Sequence, residues 1–138
     1  MSIINMQTMR YINLLDKVSR VKTSKCFVHN NTIFFAVSQR DISKAIGPNA
    51  ENIKKIQNSL GKKVKIITEA KGVENARKFI ENVVAPIKFK SLEIRDEEML
   101  ITAGNNQNKA SLIGRDKRRY EELNKIVKNF FGMDLRII

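Results

Sequence analysis

The apolar positions of the chain change period in an ordered way, and they do so twice. Residues 5–19 set Met9, Ile12, Leu15 and Val18 at helical spacing, which predicts an amphipathic helix. Cys26-Phe27-Val28 and Thr32-Ile33-Phe34-Phe35-Ala36-Val37 are rich in β-formers. They flank the turn signal His29-Asn30-Asn31, so a hairpin is expected. Ser38 or Asp41 is placed to cap a helix that ends at Ile46. Gly47-Pro48 breaks it, because a residue before proline avoids the α region. A helix over 49–60 stops at Gly61, and a strand over 63–67 follows.

The same order then recurs. An amphipathic helix is expected over 73–83, with Val73, Ala76, Phe79, Ile80 and Val83 on one face and Pro86 ending it. Strands over 87–94 and 99–103 are joined at Arg95-Asp96-Glu97-Glu98. A short helix over 106–113, a turn at Gly114 and a helix over 117–131 come next. Gly132 stops that helix, and a strand over 135–138 closes the chain. Each half reads α-β-β-α-α-β, an α+β fold in which a small mixed sheet carries its helices on one face. Turn glycine to closing glycine is 14 residues in the first half and 18 in the second. The difference of four is about one helical turn, so the apolar face is kept. This internal repeat divides the chain into domains at 1–70 and 71–138. Domains so small gain from docking on each other, so one rigid unit is expected.

Charge narrows the partner. The chain of 138 residues has 26 basic and 14 acidic side chains, net +12. Residues 1–70 hold 12 basic and 4 acidic, net +8; residues 71–138 hold 14 and 10, net +4. Such an excess favours a polyanion through counterion release, with RNA and DNA the leading candidates. The 42% apolar content is enough for a core and argues against disorder. One cysteine, Cys26, excludes an internal disulfide and fits a reducing, cytoplasmic setting. No apolar run approaches the ~20 residues of a membrane span, and the N-terminus lacks the order of a signal peptide.

The candidate chemistry sits at the two glycine turns. A residue without a side chain lets a sugar-phosphate strand come close to the backbone. The helix that follows offers free N–H groups and a positive dipole end. In the first half Ile46 and Ile53 would floor an apolar groove for bases, beside Gly47, Pro48, Asn49, Ala50 and Lys54. In the second, Ile113 and Tyr120 take those places, beside Gly114, Arg115, Lys117 and Arg118, and Tyr120 is able to stack on a base.

These features resemble the archaeal form of the transcription factor family NusA, which consists of two tandem type II KH domains. The likeness is carried by Met9-Arg10-Tyr11-Ile12-Asn13-Leu14-Leu15, by Cys26 with the hairpin to Val37, and by Ala45-Ile46-Gly47 through Ile67. Phe79-Ile80-Glu81-Asn82 with Pro86, and the stretch Leu112 to Ile138 with Phe131-Gly132, continue it. The resemblance implies single-stranded RNA binding in transcription termination, antitermination or pausing, with RNA polymerase or other transcription factors as further partners. Bacterial relatives also carry a polymerase-binding domain and an S1 domain, for which this length has no room. The family loop is G-x-x-G. Here the first is Gly47-Pro48-Asn49-Ala50, where Pro48 removes a backbone donor. The second is Gly114-Arg115-Asp116-Lys117, where Asp116 would repel a phosphate. Arg115, Lys117, Arg118 and Arg119 form a dense basic patch. Phosphate grip and a merely solvated helix start both remain open for it.

Other residues point nowhere catalytic. Cys26 and His29 make C-x-x-H, too few ligands for zinc, and read as a strand cysteine and a turn histidine. Glu97-Glu98 reads as a solvated turn, and Ala103-Gly104-Asn105-Asn106 as a loop without G-K-[ST]. Met1, Met6, Met9, Met99 and Met133 read as core filler or chain ends. The expectation is a non-enzymatic, monomeric RNA-binding protein without metal, cofactor or membrane. The rival readings are a KH-shaped scaffold on RNA polymerase with little RNA binding, and a ribosome-associated KH protein.

Overall fold

A computed structural model describes residues 5–138. It separates into two compact units, one ending at Glu69 and the other running Ala70–Ile138. Met1 lies outside the described residues.

The first unit opens with α1 (Met6–Ser19). Asn5 caps it: Thr8 N–H donates to the Asn5 side chain at 2.8 Å, and Asn5 N–H donates back to the Thr8 hydroxyl at 3.1 Å. The buried face of α1 is Tyr11, Leu15 and Ser19. The expected face through Met9 is therefore corrected, since Met9 is 52% and Met6 81% exposed. Neither of these two methionines is core filler; Met99 is. The hairpin of β1 (Lys25–His29) and β2 (Thr32–Val37) turns at Asn30 and Asn31, both left-handed, as a two-residue turn requires. A single 3-10 turn leads into α2 (Ile42–Ile46). Neither expected cap closes it: the Ser38 hydroxyl donates to the Asp41 carboxylate at 3.0 Å instead. Then come α3 (Glu51–Leu60) and β3 (Lys63–Thr68). The sheet order is β1-β2-β3. β1 runs antiparallel to β2, and β3 parallel to it, with Phe35 opposite both Cys26 and Ile66. Ile33, Phe35 and Val37 alternate along β2 and meet Tyr11, Leu15, Ala45 and Ile56, so α1, α2 and α3 share one face.

The second unit repeats this. Its elements are α4 (Ala76–Val84), β4 (Ser91–Arg95), β5 (Glu98–Thr102), α5 (Asn106–Ile113), α6 (Arg118–Phe131) and β6 (Asp134–Ile137). The sheet order is β4-β5-β6, again antiparallel then parallel. Val73 is corrected: it lies in a 3-10 turn before α4 and is 49% exposed. The strand expected from Ile87 begins at Ser91, because Ile87 N–H donates to the Val84 carbonyl at 3.0 Å and closes a turn around the cis Ala85–Pro86 peptide. Glu98 belongs to β5, opposite Arg95, and not to the turn. α6 is 14 residues long against 10 for α3, the extra turn that the glycine spacing required.

Candidate nucleic-acid interface

Both glycine turns adopt one backbone path although they share only the glycine. Gly47 has φ 79° and ψ 165°, and Gly114 has φ 76° and ψ 174°, a region essentially reserved for glycine. Two residues later Asn49 (56°, 30°) and Asp116 (56°, 29°) are left-handed. The next residues, Ala50 (58°, 30°) and Lys117 (60°, 21°), are left-handed as well. Only then do α3 and α6 begin. Asn49 and Lys117 are thus loop residues, not the first residues of helices. Asn and Asp are the side chains that best tolerate this conformation, which accounts for Asp116 by backbone geometry alone.

The glycines are also fixed by what lies over them. A Cβ on Gly47 would come within 2.8 Å of the Asn52 amide nitrogen, and one on Gly114 within 2.8 Å of Arg119 Cγ. Asn52 and Arg119 each stand five residues after their glycine. The Asn52 side chain donates to the Lys44 carbonyl at 3.0 Å, and the Arg119 guanidinium to the Ser111 carbonyl at 3.1 Å. Both acceptors stand three residues before the glycine. One more pair follows this rule. Gln57 and Asn124, each ten residues after the glycine, accept the backbone N–H of Val64 and Leu135 at 3.0 Å, which ties helix to strand.

The residues singled out in the sequence gather at these loops. Ile46 and Ile113 end α2 and α5, and Ile53 and Tyr120 are the third residues of α3 and α6; all four are half-buried. Pro48, Asn49 and Lys54 are exposed beside the first loop, and Arg115, Lys117 and Arg118 beside the second. In the second unit Ile113, Tyr120 and Ile137 floor a cavity of about 240 Å³ whose other walls are Lys117 and Arg136. The Tyr120 hydroxyl donates to the Leu135 carbonyl at 2.7 Å, which pins the ring along β6. Sequence reasoning missed Ile137, Arg136 and Asn52, and it grouped Arg119 with the free basic patch although its guanidinium is engaged on Ser111. Period-two alternation in the last strand was the one signal that pointed to Ile137.

Elsewhere the chemistry is quiet. Burial pushes the Cys26 thiol up to about 12 from 9.0. Among the described residues no three His, Cys, Asp or Glu side chains are grouped to hold a metal ion. No helix among them is long and apolar enough to cross a membrane.

No protein-family model matches the chain. It is similar to proteins named probable transcription termination protein NusA from three archaea. The Methanocaldococcus jannaschii protein is 32% identical over 84 residues, which is 61% of this chain and 44% of that protein. The Halococcus morrhuae protein is 23% identical over 128 residues, 91% of this chain and 90% of that one. The Methanococcus vannielii protein is 28% identical over 92 residues, 67% and 51%. The chain therefore spans about half the length of two of these relatives and nine-tenths of the third. Among solved structures, the crystal structure of APE1850 matches with a TM-score of 0.68 at 22% identity, over 98% of this chain and 100% of that one, a likeness of fold.

Proposed function

We propose that this archaeal NusA-like chain is a non-enzymatic transcription factor that binds single-stranded RNA through two type II KH domains, residues 1–70 and 71–138. The observation that carries the reading is the shared path of the two loops. Two sequences with only a glycine in common hold the same strained backbone, each opening a helix beside a half-buried apolar floor, on a chain of net charge +12. Backbone that costs free energy in both copies is conformation kept for contact with a ligand. An RNA strand lies against Gly47 and Gly114, with phosphates near the helix starts and bases over Ile46 and Ile53 or over Ile113 and Tyr120. Lys54, Arg115, Lys117 and Arg118 add charge around it. The names of the relatives support a setting in transcription termination; antitermination or pausing, and RNA polymerase as a protein partner, extend that reading.

The third loop residue gives the cleanest test. Asn49 and Asp116 have the same backbone and differ by one charge. Asn49→Asp adds a negative charge beside the phosphate and should weaken single-stranded RNA binding about tenfold, while Asp116→Asn should strengthen it several-fold. Both substitutions preserve a left-handed residue, so the fold is untouched. Gly47→Asp is a poorer probe, because its Cβ would collide with Asn52. Equal affinity of all three proteins would remove the loops from the binding site. It would favour a scaffold that contacts polymerase instead.

A further inference from the structure

We infer that Asn52 and Arg119 are equivalent positioning residues, each latching a glycine loop in its binding conformation, and that Arg119 does so in place of contacting phosphate. The inference rests on the RNA reading only for what the latched loop binds. Three observations support it. First, the two residues occupy the same place, five after the glycine, and each covers the face of that glycine so closely that no Cβ fits. Second, each donates to the carbonyl three residues before the glycine, at 3.0 Å from Asn52 and 3.1 Å from Arg119. That carbonyl lies in the last turn of the preceding helix, where the backbone acceptors have no partner within the helix. The side chain therefore ties the end of one helix to the start of the next across the loop. Third, the first, third and fourth loop residues have matching backbone angles in both units, so a short amide and a long guanidinium reach the same acceptor from the same origin. In Arg119 the aliphatic stem, Cβ to Cδ, covers Gly114, and only the tip does the work of the Asn52 amide.

Chemically unlike residues that perform one task should be interchangeable. Arg119→Asn discards a positive charge but keeps a donor for Ser111, whereas Arg119→Ala discards both. The experiment records backbone amide spectra of Gly114 and Lys117 in the full chain without RNA. It then measures affinity for a single-stranded RNA oligomer at two salt concentrations. The expected result is that Arg119→Asn keeps the wild-type loop resonances and binds within twofold of wild type. Arg119→Ala shifts those resonances and binds about fivefold more weakly, the factor that one lost hydrogen bond of ~1 kcal/mol gives. Asn52→Ala should shift Gly47 and Ala50 in the same way. If the asparagine and alanine variants weaken binding equally, and both flatten the salt dependence by the ~0.7 of one phosphate contact, Arg119 is a phosphate ligand and the inference falls. It falls equally if Arg119→Ala leaves the loop resonances in place. If the resonances follow the expected pattern while RNA affinity never changes, the latch stands. The RNA reading of the second loop is then what fails.

Discussion

A left-handed residue that is not glycine is uncommon, and each loop here contains two in succession. The third position is filled sensibly, by Asn49 and Asp116. The fourth is not: Ala50 and Lys117 have a Cβ that this conformation penalises by about 1–2 kcal/mol. A closing glycine removes that strain at the expense of some unfolded-chain entropy. Ala50→Gly should therefore stabilise the protein by about 0.5–1 kcal/mol in denaturant unfolding and leave RNA affinity alone. Lys117→Gly should stabilise similarly yet weaken RNA binding, because it also removes a charge from the cavity wall. A fourth residue other than glycine thus exchanges stability for charge in the second loop and for nothing evident in the first. Cys26 makes a separate point at this scale. Its thiol is buried and held neutral, so thiolate chemistry is suppressed. Folded protein at pH 8 should resist iodoacetamide for as long as it stays native. Because the folded pKa lies above the unfolded value, the contribution of Cys26 to stability is intact below about pH 9 and is lost progressively towards 12.

Elements explain what the sequence could and could not disclose. The first hairpin, the C-terminal ends of the helices and the two turns were legible because glycines, asparagines and a proline punctuate sharply amphipathic runs; the second hairpin, whose turn has none of these residues, was misplaced at its first strand. The inward face of α1 was not. Its apolar residues at 9, 11, 12, 14, 15 and 18 cover more than half of the helix circumference, and only packing selects Tyr11 and Leu15 over Met9. The starts of α3 and α6 were misplaced because a left-handed pair has no periodicity to read, and Ala and Lys are good helix formers. The latch was invisible for a related reason: Asn52 and Arg119 share a position but no chemistry. The extra turn of α6 was legible as a length and opaque as a purpose. The helix ends in Phe130 and Phe131, which meet Phe79 of α4 edge-on at 6.0 and 5.7 Å between ring centroids. Phe79→Ala should therefore destabilise the second unit by about 3–4 kcal/mol, read as a fall in the denaturant midpoint.

The charge of the whole chain decides between its two principal readings. Excess positive charge is not evidence for RNA by itself, since a basic surface also suits an acidic protein partner. The two cases differ in how binding responds to salt. Each phosphate neutralised on a single strand releases counterions and contributes about −0.7 to the slope of log affinity against log salt. Occupancy of both loops, with Lys54, Arg115, Lys117 and Arg118 each engaging one phosphate, corresponds to about four phosphates and a slope near −3. Affinity for a single-stranded oligomer long enough to reach both loops should then fall roughly 50-fold between 50 and 200 mM salt. An oligomer held by the second loop alone should keep about three-quarters of that slope, and one held by the first alone about a quarter. A slope near zero would mean that the charge serves a protein surface, and the scaffold reading would take its place. The uneven distribution, net +8 in residues 1–70 against +4 in 71–138, adds a direction to the same measurement. Asn49→Asp should cost more at low salt than at high salt, because screening within a Debye length of about 10 Å at 0.1 M weakens exposed charges first. The backbone contact that both glycines permit should persist at high salt, since its hydrogen bonds do not depend on counterions.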